Sequence, residues 1–114
     1  MDDTDPTTTN PEFYRTLWEN DDVRVLEYRD TPGQETTPHE HPNTVMVTLT
    51  GFDRELSSGD QSREVSLAAG SAVWLPAQSH SGRNIGSTPT HTILIELKHS
   101  APSATPPNLG PVTR

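Results

Sequence analysis

Apolar residues in this chain recur at every second position, in short runs broken by turn-forming residues, and that period limits what the chain can fold into. The runs fall at 13–18, 23–29, 37–41, 44–50, 54–56, 63–67, 72–75, 79–85 and 90–98. No stretch of about twelve residues carries the 3.6-residue period of an amphipathic helix. Nine short runs of this kind predict an all-β fold, an antiparallel sandwich or barrel. Between them, Asn20-Asp21-Asp22, Thr31-Pro32-Gly33, Ala69-Gly70-Ser71 and Gly86-Ser87-Thr88-Pro89 supply residues that tolerate turn geometry. Ser57-Ser58-Gly59-Asp60 gives the clearest hairpin tip.

Of the 33 apolar residues, 28 lie between Phe13 and Leu97, so the core belongs to that stretch. A chain of 114 residues suits one domain. The division expected is a flexible acidic arm at 1–11, the barrel at 12–98 and a Pro-rich tail at 99–114, where Pro102, Pro106, Pro107 and Pro111 oppose helix and central strand alike. The formal charge is -8, with 16 acidic residues against seven Arg and Lys98 alone. A surface of that sign repels phosphate, which excludes nucleic acid as the expected partner. Cysteine is absent, so neither a disulfide framework nor a thiolate site can be built. The acidic, Thr-rich start does not read as a secretory leader, and no run approaches the roughly 18 apolar residues of a membrane span, so the expected setting is the cytoplasm, without a membrane partner.

Chemistry concentrates in Pro38-His39-Glu40-His41-Pro42. On an extended strand the two histidines leave the same face with Cα atoms about 6.5–7 Å apart, so both rings can reach one ion. Glu40 points the other way. Two imidazoles bind a metal weakly, and His80, at the start of a later run, is the candidate third ligand, brought to face the pair when the sheet rolls up. His91 and His99 lack partners at ligand spacing and read as structural or exposed.

These residues resemble the two motifs of the cupin superfamily. Gly33, His39, His41 and Gly51 look like the first motif, and Gly70, Pro76, His80 and Asn84 like the second. Residues 23–98 are particularly similar to small single-domain cupins of the β-alanine-degradation group. The resemblance implies a double-stranded β-helix, or jelly roll, with a metal inside the barrel. Two departures stand out. Thr44, Val45 and Met46 occupy the stretch where the family offers a carboxylate ligand, and Gln78 stands where a glycine is usual in a second motif one residue shorter. The remaining ligand set, three neutral histidines, resembles the iron centre of thiol dioxygenases. It keeps the full charge of the ion and leaves positions open, which favours a small anionic or chelating ligand. Fe(II) is the expected ion, with Zn, Ni and Mn as alternatives.

Around that site, alternation puts Arg24, Leu26 and Tyr28 on one face of their strand. Arg24 is either a clamp for a substrate carboxylate or half of an ion pair. Met46 is either a polarisable wall near the metal or core packing. Trp74 fills core, interface or pocket wall, and Gln78 reaches the ion's water shell or lies at the surface. Val45, Val47 and Leu49 form an aliphatic outer face that suggests a homodimer. Three functions follow: an oxygen-using non-haem enzyme acting on a small organic acid or thiol, a non-catalytic small-molecule-binding module, and a metal-free isomerase working through His41 and Tyr28. Fold alone does not choose among them.

Overall fold

Alternation builds the strands, and the turns between them fix their order. The computed structural model describes residues 3–101 and 108–112. Nine strands follow one another: β1 (Tyr14–Glu19), β2 (Val23–Asp30), β3 (His39–His41), β4 (Thr44–Thr48), β5 (Phe52–Ser58), β6 (Gln61–Leu67), β7 (Ala72–Leu75), β8 (Gln78–Asn84) and β9 (Thr90–Leu97). Each overlaps a run predicted from the sequence. The β5–β6 hairpin is longer than its apolar signal, because Gln61, Ser62, Arg63 and Glu64 are exposed and contribute backbone pairing without an apolar pattern. At its tip Gly59 takes φ +61°, a left-handed conformation that favours glycine.

The strands form two antiparallel sheets, one ordered β1-β2-β9-β4-β7 and the other β3-β8-β5-β6. Their inner faces meet in a core of Tyr14, Leu26, Tyr28, Met46, Phe52, Leu56, Val65, Leu75 and Leu94. This is a double-stranded β-helix, with β3 and β8 bringing both histidine segments into the smaller sheet. Among the described residues no helix is long and apolar enough to cross a membrane.

Within residues 1–11, read from composition as an arm, Pro6–Thr9 form one helical turn, α1. The Asp5 side chain accepts from the Thr7 backbone N–H and caps it. α1 packs against both β1 and β3, and Asn10 behind it is buried. Part of the stretch 99–114 is also engaged: Gly110 and Pro111 are buried, and Val112 bridges to Trp74 on β7. Pro102, Pro106 and Pro107 lie outside the described residues.

Candidate metal centre

β3 and β8 pair with His39 directly opposite His80 and His41 opposite Gln78. Because alternate residues of a strand share a face, all four side chains leave one side of this two-stranded ribbon. The third histidine is therefore a next-door neighbour within the same sheet, where the sequence reading had it facing the pair from a distant strand. The ring centroids lie 4.8 Å apart for His39–His41, 5.1 Å for His39–His80 and 5.0 Å for His41–His80. One ligand nitrogen of each falls within 4.8 Å of the other two, and all three residues are buried.

The outer nitrogens settle which atoms face inward. His39 Nδ1 lies 2.7 Å from the Thr37 carbonyl, which can only accept, so Nδ1 carries the proton and Nε2 is left bare. Asn10 fixes that carbonyl in turn: its Nδ2 donates to Thr37 O at 3.1 Å while its Oδ1 accepts from Thr37 N at 2.8 Å. His80 Nδ1 lies 2.8 Å from Gln78 Oε1. That oxygen also accepts from Gly110 N at 2.8 Å, while Gln78 Nε2 donates to the carbonyls of Pro76 and Gly110. The amide orientation is thus fixed, and His80 Nδ1 must be the donor. Around His41 the contact is looser. Its Nδ1 and Glu96 Oε2 face each other at 3.7 Å, and both are buried without a hydrogen-bond partner among the described residues. Glu96 Oε1 accepts from Arg24 Nε at 2.7 Å. Each ring therefore has an acceptor behind it, a carbonyl, a carboxamide or a carboxylate, the arrangement that orients metal-binding imidazoles.

Burial governs the charges. Desolvation holds His41 down to about 3, with His39 and Arg24 adding repulsion, and it lowers His39 and His80 as well. All three rings are neutral at pH 7 and able to donate lone pairs. Burial raises the Glu96 carboxyl, and Arg24 offsets part of that rise.

Tyr14, which the sequence reading did not single out, completes the rim. Its hydroxyl lies 3.2 Å from His39 Nε2 and 3.5 Å from His41 Nε2. Burial pushes its pKa up, so it stays a protonated hydroxyl. Arg54 was missed too. It lines the cavity beside Tyr28, with Nη1 on Asp30 Oδ2 at 2.5 Å and Nη2 donating to the Tyr28 hydroxyl at 3.0 Å. Asn84 Nδ2 donates to the other Asp30 oxygen at 3.0 Å. Burial works against ionisation of Asp30, yet Arg54, Tyr28 and Asn84 together hold its pKa below the usual range. The cavity measures about 60 Å³ and runs from the histidines to this network, walled by Met46, Leu75 and Leu94.

Three of the pocket expectations need correction. Arg24 shares the inward face with Leu26 and Tyr28, but it sits at the start of β2 opposite Glu96, where Glu96 and Asp5 take its guanidinium at 2.7 and 2.9 Å. It borders an outer groove and not the cavity. Trp74 pairs with Val45 in the phase that faces outward and is 38% exposed, so it lines no pocket. Gln78 binds the His80 ring and Gly110, which accounts for its carboxamide without a water shell. Tyr28 and Met46 do line the cavity, but the Tyr28 hydroxyl is occupied by Asp30 and Arg54, so the hydroxyl that meets His41 is that of Tyr14. Where a fourth ligand was missing from the sequence, the Thr44 hydroxyl donates to the Pro42 carbonyl.

Neutral imidazoles with converging inner nitrogens, two of them anchored from behind, fit a borderline divalent transition ion held by His39, His41 and His80. Fold and site together define a histidine-rimmed, double-stranded β-helix protein. Comparison with solved structures agrees. A cupin domain from Bordetella pertussis Tohama I superposes with a TM-score of 0.69 at 29% identity, covering 75% of this chain and 91% of that one. An RmlC-like cupin from Methanocaldococcus jannaschii gives 0.61 at 17% identity over 75% and 79% of the two chains. The polyketide cyclase RemF from Streptomyces resistomycificus gives 0.57 at 21% identity over 74% and 63%, a likeness of fold. The chain belongs to the cupin superfamily. No family model and no curated protein matches its sequence.

Proposed function

We propose that this protein holds one divalent transition metal on His39, His41 and His80, Fe(II) before Zn, Ni or Mn, and uses it with dioxygen on a small organic acid or thiol. The observation that carries the reading is the convergence of three buried, neutral rings on one cavity, with the outer nitrogens of His39 and His80 anchored by hydrogen bonds. When bound, the ion would supply Lewis acidity and, as iron, the means to activate oxygen. The chain's own residues supply the rest. Arg54 lines the far end of the cavity, where its guanidinium, already paired with Asp30, would offer a hydrogen-bond donor to a carboxylate in the part first given to Arg24. The Tyr14 hydroxyl offers a proton or hydrogen bond beside the ligand nitrogens.

Elemental analysis of wild type beside His39→Ala and His80→Ala tests the metal, with about one ion per chain expected in wild type and loss in both variants. Oxygen uptake after anaerobic loading with Fe(II), across thiols, diketones and amino acids, tests the reaction. One observation favours a non-catalytic binding module instead: Asp30, the carboxylate behind Arg54, is fully engaged by Arg54, Tyr28 and Asn84 and so is not a free general base. That reading predicts ligand-dependent melting shifts without product. A cytoplasmic setting and a homodimer built on the outer face of β4 belong to the same proposal.

A further inference from the structure

The smaller sheet ends at β6 and the larger at β7. Residues 109–112 run between these two edges. The Arg63 guanidinium of β6 donates to the Leu109 carbonyl at 2.8 Å, and Val112 N donates to the Trp74 carbonyl of β7 at 2.7 Å. Between these anchors Gly110 is buried with φ +90°, and a Cβ there would meet Leu56 Cδ1 at 2.9 Å and Val65 Cγ2 at 3.4 Å. Only glycine therefore lets the chain lie this deep. Pro111 follows and lines the cavity. Gln78 clasps Gly110 from the inside by two hydrogen bonds, and its Oε1 is the same atom that accepts from His80.

We propose that residues 109–112 are a built-in wall of the metal cavity that sets the size of ligand it admits, with Gln78 as the positioning residue that ties the seating of this wall to the ring of His80. The wall closes a space of about 60 Å³. That is well under the roughly 150 Å³ of a cavity that admits benzene, so the space suits a short acid and excludes a long-chain one. Unseating the wall lengthens the cavity and also removes both hydrogen bonds between Gly110 and Gln78, leaving the one to the Pro76 carbonyl to orient the carboxamide for His80.

Size selection rests on the metal reading above, whereas the wall does not, so two measurements separate them. The first uses metal-free, full-length protein and diethylpyrocarbonate, with His80 modification followed by peptide mass. The side chain of His99 is 74% exposed and serves as an internal reference for reagent activity. His80 should react far more slowly than His99 in wild type. In Gly110→Val, and separately in Gln78→Met, its rate should rise at least about tenfold, because local opening then governs access. Equal protection of His80 in wild type and both variants would overturn the wall, and so would unfolding of both variants, which would make the segment core. The second measurement loads the same proteins with Co(II) and follows its visible spectrum on adding formate, acetate and hexanoate. Wild type should respond to the two short acids, and the variants to hexanoate as well. A hexanoate response in wild type overturns the size selection; failure of wild type to take up Co(II) overturns the metal reading and with it the size selection, leaving the wall to the first measurement.

Discussion

A buried carboxylate with one oxygen on an arginine and the other turned to an unbonded imidazole nitrogen is sensitive to the loss of either neighbour, and Glu96 is such a group. Arg24→Met leaves it without its ion-pair partner beside His41, which should destabilise the fold by about 3 kcal/mol in urea unfolding. Glu96→Gln keeps an acceptor for Arg24 and should cost only about 1 kcal/mol. A double replacement, Arg24→Met with Glu96→Leu, should recover most of the single loss, and a double variant no better than Arg24→Met would refute the pairing. The histidines predict a pH dependence whose sign follows from burial. In the unfolded chain they titrate near 6.5, whereas in the fold desolvation holds His41 at about 3 and His80 well below its ordinary value. The unfolded state binds the extra protons, so metal-free stability is complete above about pH 6.5 and falls as pH drops from there toward 3, by up to about 1.4 kcal/mol per unit for each ring. Urea midpoints of chelated protein between pH 8 and 4 measure this slope, and a flat profile would show that the rings accept protons within the fold.

At the scale of elements, β8 shows how tightly one strand is fitted to its neighbours. A Cβ on Gly82 would lie 2.9 Å from Arg54 Nη2 and 3.0 Å from Leu56 Cδ2. Arg54 cannot swing aside, since Asp30, Thr90 and Tyr28 hold its guanidinium. Gly82→Ala should therefore cost about 1–3 kcal/mol, read as a lower melting temperature, and a neutral effect would mean that the Arg54 network is soft. The existence of β8 was legible from alternation, as were the positions of the other strands, because period two is a local property. Register was not, because it depends on which strands become neighbours. His39 and His41 were readable from their spacing alone, but the direct opposition of His80 to His39 required the β3–β8 pairing. Glu96 escaped notice for a related reason. In β9 the inward Thr90, Thr92, Leu94 and Glu96 alternate with the more apolar His91, Ile93, Ile95 and Leu97, so hydrophobicity points to the wrong face. Tyr14 and Arg54 stand in ordinary strand phase, and only tertiary placement turns them toward the histidines. Composition likewise made residues 1–11 and 99–114 look dispensable, since the hydrogen bonds of Asn10 and Gly110 leave no apolar signature.

Across the whole molecule both terminal segments do related work: α1 bridges β1 and β3 behind His39, and residues 109–112 bridge β6 and β7 beside His80. With those edges covered, an apolar surface remains on the outside of the larger sheet. There the registers align Trp18, Val25, Ile95, Val45 and Trp74 in one row across all five strands. A second row adds Ile93 and Val47. Trp18 is 57% exposed and Trp74 38%, so the row ends in two aromatic rings open to contact. A continuous apolar band on a chain of formal charge -8 is where the proposed homodimer would form, and a second copy meeting it about a twofold axis would set each row against its like. Acidic groups elsewhere on the surface would then oppose further assembly beyond the pair. Light scattering at micromolar concentration should give twice the chain mass for wild type. Val45→Asp, in the middle of the row, should yield monomer while retaining the far-UV spectrum, because the substituted side chain points away from the core. Metal content should stay at the wild-type level in that monomer, since the residues around the three histidines all come from one chain. A wild type that runs as monomer, or a Val45→Asp protein that remains a dimer, would remove the larger sheet as the contact.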